Sequence, residues 1–398
     1  MSELIVRRAA RVFGYDTSGP LAVRVRGGRV AEVVPDGSLR PGHEVPEVDA
    51  AGRAVVPGFV DAHTHLVFAG DRAEEFEARL AGRPYEAGGI MRTAGDTRAA
   101  TFEELVEATV GRVSDALATG TTTLEVKSGY GLDTAHERRL LEVVAEAATR
   151  TPAELVPTFL GAHLAPTPDY VDLVVGEMLA ACAPLAVHCD AFCDQEALTV
   201  EQARRVLTAG RAAGLTPRIH AEELAHTGGA RLAAELGCLS ADHLVHADAD
   251  DAAALARAGV VAVLLPATSF GLRSAYAPAR LLVDAGVTVA LATDCNPGTS
   301  YTTSMPFVIA LACSAYGLTV EEAVRAATLG GARALGRDDI GHLEPGAVAD
   351  LVVLGTDRWV DLAYRPGADL VHAVVKAGVV VKAGAAAGGP GRGRGHAG

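Results

Sequence analysis

The sequence contains no long apolar segment. A helix that spans a bilayer needs roughly 18 or more consecutive apolar residues, and the longest candidate run, residues 260–265, ends at Pro266. Arg7 and Arg8 are not followed by the apolar stretch of a secretory signal, because Arg11 and the polar residues after it interrupt the segment. These absences predict a cytoplasmic protein without a membrane partner.

Excess positive charge is lacking as well. Lys and Arg together number 35 against 49 Asp and Glu, which leaves a formal net charge of −14. So acidic a chain is unsuited to phosphate backbones and anionic lipids, and nucleic acid is not an expected partner. The content of 49% hydrophobic and 21% charged residues excludes a largely disordered chain.

Cysteine pairs of the CxxC type are also absent. We interpret the six cysteines of the chain as buried apolar side chains or free thiols of a reducing compartment. His188, Cys189 and Cys193 are close enough in sequence to raise the possibility of a metal cluster. Because their segment has the pattern of a short apolar strand, we predict that these residues serve packing.

Three zones of different pattern divide the chain. Residues 1–56 show short β-rich runs, and similar runs return over residues 345–382. We predict that these two ends pair as one discontinuous β-sandwich domain, because neither alone has enough strands for a stable core. Residues 57–344, where strands and helices alternate, form the second predicted domain. Residues 383–398 are rich in Gly, Ala and Pro and are predicted to be a disordered tail.

The middle zone contains eight candidates for buried strands. They lie at about residues 54–60, 121–126, 154–160, 185–187, 217–219, 239–242, 260–265 and 287–291. Several helical segments begin with a predicted capping box, namely Thr101 with Glu104, Thr134 with Glu137, Thr199 with Gln202, and Thr319 with Glu322. Eight strand–helix units in about 280 residues match the size of a (β/α)₈ TIM barrel. A doubly wound open sheet is disfavoured, because no GxGxxG motif follows the first strand.

In such a barrel the functional side chains stand at the carboxyl ends of the strands. The polar residues at these ends are, in chain order, His63, His65, His220, Asp242, His243 and Asp294. His63 and His65 can face one point, because alternate residues of an extended strand share a side. Three imidazoles and one carboxylate would form a site for Zn²⁺ or Fe²⁺ with a position left for water.

Longer motifs carry a resemblance to a known family. The segments PGFVDAHTH (residues 57–65) and LEPGAVADLVVL (residues 343–354), together with His220, His243 and Asp294, resemble the amidohydrolase superfamily of metal-dependent hydrolases. The resemblance extends over about residues 1–380. Shorter motifs are similar to the imidazolonepropionase family of histidine degradation, namely GDR at 70–72, EVKSGYGL at 125–132, FLGAH at 159–163, HAEE at 220–223 and TDCNPGT at 293–299.

This resemblance implies an activity and a set of site residues. The family hydrolyses the cyclic amide of 4-imidazolone-5-propanoate to N-formimidoyl-L-glutamate. Matched motif to motif, its metal ligands fall on His63, His65, His220 and Asp294. Its substrate contacts fall on Arg72, Tyr130, His163, Glu223, Asn296, Gly298 and Thr299. The HAEE motif departs from the HADE form expected of the family but keeps Glu223. The resemblance also implies a homodimer.

Ring opening of a cyclic amide assigns roles to three residues. A single divalent metal is expected, because strand 4 offers no lysine at its carboxyl end that could bridge two ions. Zn²⁺ and iron, as Fe²⁺ or Fe³⁺, both suit imidazole and carboxylate ligands. We predict that Asp294 binds the metal and accepts the proton of the attacking water. Glu223 is predicted to carry a proton to the leaving nitrogen, and His243 to polarise the carbonyl or hold the water.

The anionic substrate requires positive charge inside an acidic protein. Arg72 can form a bidentate pair with the propanoate carboxylate, and the alternative is a surface pair with Glu74 or Glu75. Lys127 either contributes positive charge or forms a structural ion pair. Asp61, on the same side of strand 1 as the two histidines, is a candidate to orient a ligand imidazole.

Two other functions share parts of this pattern. An aminohydrolase acting on guanine or cytosine would use the same metal ligands but would not need Arg72 to meet a carboxylate. A non-catalytic scaffold with the same barrel should have lost some ligands, and here all of them are present. A substrate panel distinguishes the aminohydrolase from a hydrolase of the propanoate. Metal analysis distinguishes the non-catalytic scaffold from a metal-dependent enzyme.

Overall fold

The computed structural model describes residues 2–16, 19–39, 45–82 and 89–383. Apart from residue 383, the predicted disordered tail lies outside the described residues. The strands in chain order are β1 Glu3–Ala9, β2 Arg11–Val12, β3 Leu21–Arg26, β4 Arg29–Pro35, β5 Glu47–Asp49, β6 Ala54–Pro57, β7 Phe59–Asp61, β8 Thr121–Lys127, β9 Glu154–Ala162, β10 His188–Cys193, β11 Thr216–Pro217, β12 Ile219–Ala221, β13 Ser240–His243, β14 Val261–Leu264, β15 Val289–Leu291, β16 Leu351–Leu354, β17 Val371–Lys376 and β18 Val379–Lys382.

Helices follow most of the central strands and cover the outside of the sheet. The α-helices are α1 Ala73–Leu80, α2 Gly89–Ala99, α3 Phe102–Ala118, α4 Thr134–Thr149, α5 Tyr170–Leu173, α6 Leu179–Cys182, α7 Val200–Ala212, α8 Gly229–Leu236, α9 Ala249–Ala258, α10 Pro266–Leu272, α11 Ala279–Asp284, α12 Met305–Ala315, α13 Val320–Arg325, α14 Gly331–Ala334 and α15 Asp361–Tyr364. Among the described residues, no helix combines the length and the apolarity that crossing a bilayer requires.

Eight parallel strands form a nearly closed barrel, as predicted. They pair in the order β7, β8, β9, β10, β12, β13, β14 and β15, and the short β11 adds to β10. The last and first strands meet just beyond their ends, where Thr64 and Cys295 form a parallel bridge. The carboxyl ends of all eight strands therefore surround one opening.

All eight predicted strands differ from the observed ones by at least one residue at an end, and two of the differences bear on the barrel and its site. The run predicted over 54–60 is divided at Gly58, so that β6 pairs with β16 outside the barrel while β7 begins the barrel. A β-carbon at Gly58 would lie 2.3 Å from Oγ1 of Thr122, which explains the glycine at this crossover. The fourth barrel strand is β10 and not residues 185–187, because the chain forms helical turns up to Leu185 and becomes extended only later. This shift brings Asp190 into the barrel.

The two chain ends form the small β-sandwich that the pattern predicted. One sheet has the order β4-β3-β1-β5 and the other the order β18-β17-β16-β6-β2. Apolar side chains of both sheets share one buried cluster, in which Leu4 and Val23 of the first sheet join Leu351 and Val375 of the second. The exact domain boundaries of the sequence analysis stay a prediction.

Three of the four predicted capping boxes are present. Those that begin with Thr101, Thr199 and Thr319 have both reciprocal hydrogen bonds. The fourth is wrong, because the side chain of Asp133 caps α4. Glu137 is instead buried and accepts hydrogen bonds from the backbone N–H groups of residues 129, 131 and 132.

The cysteines serve packing, as predicted. Cys189 and Cys193 are buried in β10 and belong to the main apolar cluster of the barrel. Burial raises the pKa of the Cys189 thiol, so this sulfur stays protonated and apolar at neutral pH.

Candidate active site

Four predicted metal ligands meet at the opening of the barrel. His63 and His65 follow β7, His220 lies in β12, and Asp294 follows β15. Oδ1 of Asp294 lies 3.6 Å from Nε2 of His63 and 3.5 Å from Nε2 of His65. Nε2 of His220 lies 3.4 Å from Nε2 of His65. We call these four side chains, all buried, the histidine–aspartate cluster.

Three contacts within this cluster have the spacing of a tetrahedral metal site. Two sets of side chains have ligand atoms within 4.8 Å of one another, namely His63, His65 and Asp294, and His63, His220 and His243. Bonds of about 2.1 Å from a central ion to nitrogen and oxygen ligands require ligand atoms about 3.4 Å apart, which matches the separations above. Nε2 of His63 and Oδ1 of Asp294 are buried, and neither atom has a hydrogen-bond partner among the described residues. Buried polar atoms without a partner are unfavourable, so both atoms fit a divalent cation as their missing partner.

Buried carboxylates orient two of the imidazoles in the cluster. Nδ1 of His63 lies 2.6 Å from Oδ2 of Asp242, and Nδ1 of His220 lies 3.1 Å from Oδ1 of Asp190. Each Nδ1–H donates to its carboxylate, which leaves the Nε2 lone pair directed into the cluster. The sequence analysis missed Asp190, because the fourth strand was placed before it.

Asp61 has a different role from the one expected. Its carboxylate accepts hydrogen bonds from the backbone N–H of Thr293, at 3.0 Å, and from the hydroxyl of the same residue. Asp61 therefore ties the first strand to the residue that precedes Asp294. Burial raises the pKa of Asp61 to about 7.

The backbone leaves the extended conformation at two functional positions. Asp294 has a φ of 50° and His243 a φ of 76°. The N–H of Asp294 donates to the carbonyl of His63, which seats the turn against the first strand. Left-handed backbone is unfavourable for residues other than glycine and is concentrated at functional sites. Both side chains are redirected into the opening by these turns.

Glu223 and His243 lie beside the cluster. Oε2 of Glu223 is 3.6 Å from Nε2 of His243. Burial, together with the nearby carboxylates of Asp294 and Asp194, raises the pKa of Glu223 well above its usual value. A raised pKa favours the protonated form of a carboxyl group, which can transfer its proton to a substrate.

Asp194 holds the turn that carries Glu223, and the sequence analysis did not identify it. Its two carboxylate oxygens accept hydrogen bonds from the backbone N–H groups of Glu223, Leu224 and Ala225, at 2.7, 3.0 and 3.1 Å. The only sequence signal was its position directly after a strand, because barrel sites lie at strand ends.

A pocket of about 470 Å³, including its open mouth, is lined by three members of the cluster, His65, His220 and Asp294. Its lining includes nearly all predicted substrate contacts, namely Arg72, Tyr130, His163, Glu223, Asn296 and Thr299, and also His243. His163 stacks on His65 with 5.2 Å between ring centres, and its Nδ1 donates to the carbonyl of Gly129 at 3.0 Å. Nε2 of His163 is thus left as an acceptor, since burial lowers the pKa of this imidazole to about 3.

The loop after β15 forms one wall of the pocket. The side-chain oxygen of Asn296 accepts hydrogen bonds from the N–H groups of Gly298 and Thr299, both at 2.8 Å. Its amide nitrogen donates to the carbonyl of Asp294 at 2.7 Å. Gly298 faces the guanidinium of Arg72, and a β-carbon there would lie 2.2 Å from Nη1.

Arg72 is buried in the pocket wall and not on the surface. Its Nε and Nη2 donate to the two carboxylate oxygens of Glu75, at 2.7 and 2.6 Å. The pair with Glu75 that was considered as an alternative is therefore present, and Arg72 itself lines the pocket beside the histidine–aspartate cluster.

Lys127 forms a structural ion pair. It is buried, and its ammonium group lies 2.7 Å from Asp190 and 2.9 Å from Glu125. Of the two interpretations of this lysine, the structure supports the structural ion pair. Carboxylates below the cluster already pair with its charge.

Fold and site together define a class of protein. Residues 54–381 match the amidohydrolase family, and the chain belongs to this family. It is a hydrolase, and His and Asp side chains that could hold a divalent metal lie at the mouth of its barrel. Solved structures with the same fold include an N-isopropylammelide isopropylaminohydrolase from Burkholderia multivorans, with a TM-score of 0.75 at 22% identity over 96% of this chain and 99% of that one.

Two curated relatives with a named activity are more similar to this chain than the solved structure above. The chain is 54% identical to an imidazolonepropionase of Mycolicibacterium smegmatis over 340 residues, which are 84% of each chain. It is 51% identical to an imidazolonepropionase of Salinispora tropica over 388 residues, which are 95% of this chain and 97% of the relative.

Proposed function

We propose that the protein hydrolyses 4-imidazolone-5-propanoate to N-formimidoyl-L-glutamate in the degradation of L-histidine. The observation that carries this proposal is the placement of a buried guanidinium, that of Arg72, in the same pocket as the histidine–aspartate cluster. A site with both features can bind a carboxylate and hydrolyse an amide within one small molecule. The imidazolonepropionases among the relatives are consistent with this substrate.

We infer that His63, His65, His220 and Asp294 hold one divalent cation. The cation would supply a water whose pKa is lowered from 15.7 to about 7, which makes it a nucleophile at neutral pH. Asp294 accepts the proton of this water in the proposed mechanism. Thr268 donates to Oδ2 of Asp294 at 2.6 Å and so fixes the orientation of that carboxylate.

Glu223 and His243 are proposed to act on the other side of the reacting amide. Glu223 delivers a proton to the leaving ring nitrogen, which the raised pKa of its carboxyl group favours. His243, whose pKa is lowered by burial, is neutral and polarises the carbonyl oxygen or holds the water. The separation of 3.6 Å between them supports a role of both groups at one substrate.

The remaining pocket residues are proposed to bind the substrate. Arg72 meets the propanoate while Glu75 keeps its guanidinium in place. Further hydrogen bonds to the ring or the carboxylate come from the other predicted contacts, Tyr130, His163, Glu223, Asn296, Gly298 and Thr299.

A substrate panel tests the proposal. Metal-loaded protein should consume 4-imidazolone-5-propanoate, followed by loss of the imidazolone absorbance, and should not act on guanine or cytosine. His63→Ala protein should be inactive under the same conditions. Turnover of a nucleobase without turnover of the propanoate would refute the assignment in favour of an aminohydrolase.

Alongside the reaction we propose four further properties, which are the metal, the cellular location, the oligomeric state and the domain boundaries. The cation is Zn²⁺ or iron, which elemental analysis of protein purified without chelators decides, and absence of any transition metal would favour a non-catalytic scaffold. The protein is a cytoplasmic homodimer, which fractionation of cells and light scattering test. The β-sandwich domain comprises residues 1–56 and 345–382 and the barrel residues 57–344, which limited proteolysis tests.

A further inference from the structure

A layer of buried charge lies directly beneath the histidine–aspartate cluster. The ammonium group of Lys127 lies 2.7 Å from Oδ2 of Asp190, 2.9 Å from Oε1 of Glu125 and 4.0 Å from Oδ2 of Asp242. All four side chains are inaccessible to solvent. We call Lys127, Asp190 and Asp242 the charged layer.

The members of the charged layer come from alternate strands. Lys127 ends β8, Asp190 lies in β10 and Asp242 lies in β13, which are the second, fourth and sixth strands of the barrel. Side chains from alternate strands form one level inside such a barrel, and bulky aliphatic residues usually fill it. Here three charged groups occupy that level.

Each carboxylate of the charged layer also holds one imidazole of the cluster. Asp190 accepts from Nδ1 of His220 and Asp242 from Nδ1 of His63. The two ligand histidines lie on the first and fifth strands, so no short segment of chain connects them. Lys127 is the group that lies between both carboxylates.

Stability alone is a weak reason for such a layer. Removing charges from water is unfavourable, and replacing a buried ion pair with apolar side chains is often neutral or stabilising. Arg218, also fully buried, already places a positive charge 3.1 Å from Asp242. The position of Lys127 between the two histidine-bound carboxylates therefore calls for a second explanation.

We propose that Lys127 is a positioning residue, which holds Asp190 and Asp242 so that the imidazoles of His220 and His63 are directed at one point. Without the ammonium group the two carboxylates lose the positive charge that lies between them, and Asp190 also loses a hydrogen-bond donor. Their oxygens, and the imidazoles bonded to them, then leave the arrangement seen here. The inference rests on the proposed role of the cluster as a metal centre.

Metal affinity of Lys127→Met protein is the first test. We expect its dissociation constant for Zn²⁺, measured by competition with a chromophoric chelator, to rise by about 10- to 100-fold, the range known for changes behind metal ligands. Lys376→Met is the matched control, since Lys376 is also buried and pairs with Asp350 at 2.7 Å but belongs to β17 of the terminal sheet. This control should lower the melting temperature and leave the dissociation constant unchanged.

A double-mutant cycle tests the same idea without removing the lysine. Asp190→Asn and Asp242→Asn preserve side-chain shape, and each should weaken Zn²⁺ binding. The double variant should lose less than the product of the two single losses, because the first change already releases the lysine from its bridging position. Independent carboxylates would give losses that multiply, which would overturn the proposal.

The outcomes separate this inference from the proposed function. Wild-type affinity in Lys127→Met protein, alongside normal binding by the wild type, would refute the role of Lys127 alone. Failure of wild-type protein to bind any divalent metal would refute the metal centre and this inference with it.

Discussion

The two sides of the pocket are built in different ways. The histidine–aspartate cluster lies on strands or within four residues of a strand end, and carboxylates that solvent cannot reach orient two of its imidazoles. Other parts of the pocket wall consist of loops shaped by hydrogen bonds to backbone groups, such as those of Asn296 and Glu137. The first side directs reactive atoms and the second shapes a cavity. Changes to the cluster should therefore lower kcat, as should changes to Glu223, the proposed proton donor. Changes to the other loop residues should raise KM.

Asp294→Ala should have the largest effect. The change removes a cluster ligand and the proposed acceptor of the water's proton, so turnover should fall by about 10⁴-fold or more. Steady-state kinetics and metal analysis of the same sample measure both losses. Activity within tenfold of the wild type would show that Asp294 does not take part in the chemistry.

Glu223→Gln should lower kcat by about 10²- to 10⁴-fold, because proton transfer is lost while the side-chain shape is kept. Burial and the nearby carboxylates of Asp294 and Asp194 raise the pKa of Glu223, which favours the acidic form that the proposed proton transfer needs. In the wild type the rate should fall as the pH rises through this pKa, and the variant should lose that dependence. Glu74→Gln, at a side chain that is 86% exposed, is the control and should be fully active.

Arg72→Ala tests the part of the pocket that is proposed to bind the substrate. Loss of a hydrogen-bonded charge pair with the propanoate, about 1.5–3 kcal/mol, should raise KM about 10- to 100-fold and change kcat little. An imidazolone without the propanoate should show no such difference between the two proteins. An unchanged KM for the natural substrate would eliminate Arg72 as its carboxylate contact.

Gly298→Ala should have a smaller effect of the same kind. The new methyl group would lie 2.2 Å from Nη1 of Arg72, so the guanidinium must move and KM should rise by about 3- to 10-fold. Gly95→Ala is the control, because a β-carbon at this position in α2 meets no atom within 4 Å. Equal KM values for both variants would show that the contact with Arg72 is unimportant.

Thr101→Ala should change stability alone. Loss of this capping box, which begins α3, should lower the free energy of unfolding by about 1 kcal/mol. Denaturant titration measures the change, and kcat and KM should both equal those of the wild type. A change in KM would mean that the pocket depends on helices outside it.

The strand ends were the most predictable part of the site. Parallel strands end at one edge of a barrel, so His63, His220 and Asp294 could be brought together from strand order alone. Asp190 was not predicted as a site residue, because its strand was placed three residues too early in the sequence. The predicted box at Thr134 failed because Asp133 is an equally good cap and Glu137 had a competing role as an acceptor for loop N–H groups.

What the sequence alone determined was the pattern of local preferences, which comprises the alternation of strands and helices, the helix caps and the order of polar residues along the barrel. Which of the buried charges pair was decided only by the tertiary structure. Lys127 and Asp190 are 63 residues apart in sequence and 2.7 Å apart in space. Electrostatic attraction depends on separation in space and on exclusion of water, and neither quantity is expressed in the spacing of residues along the chain.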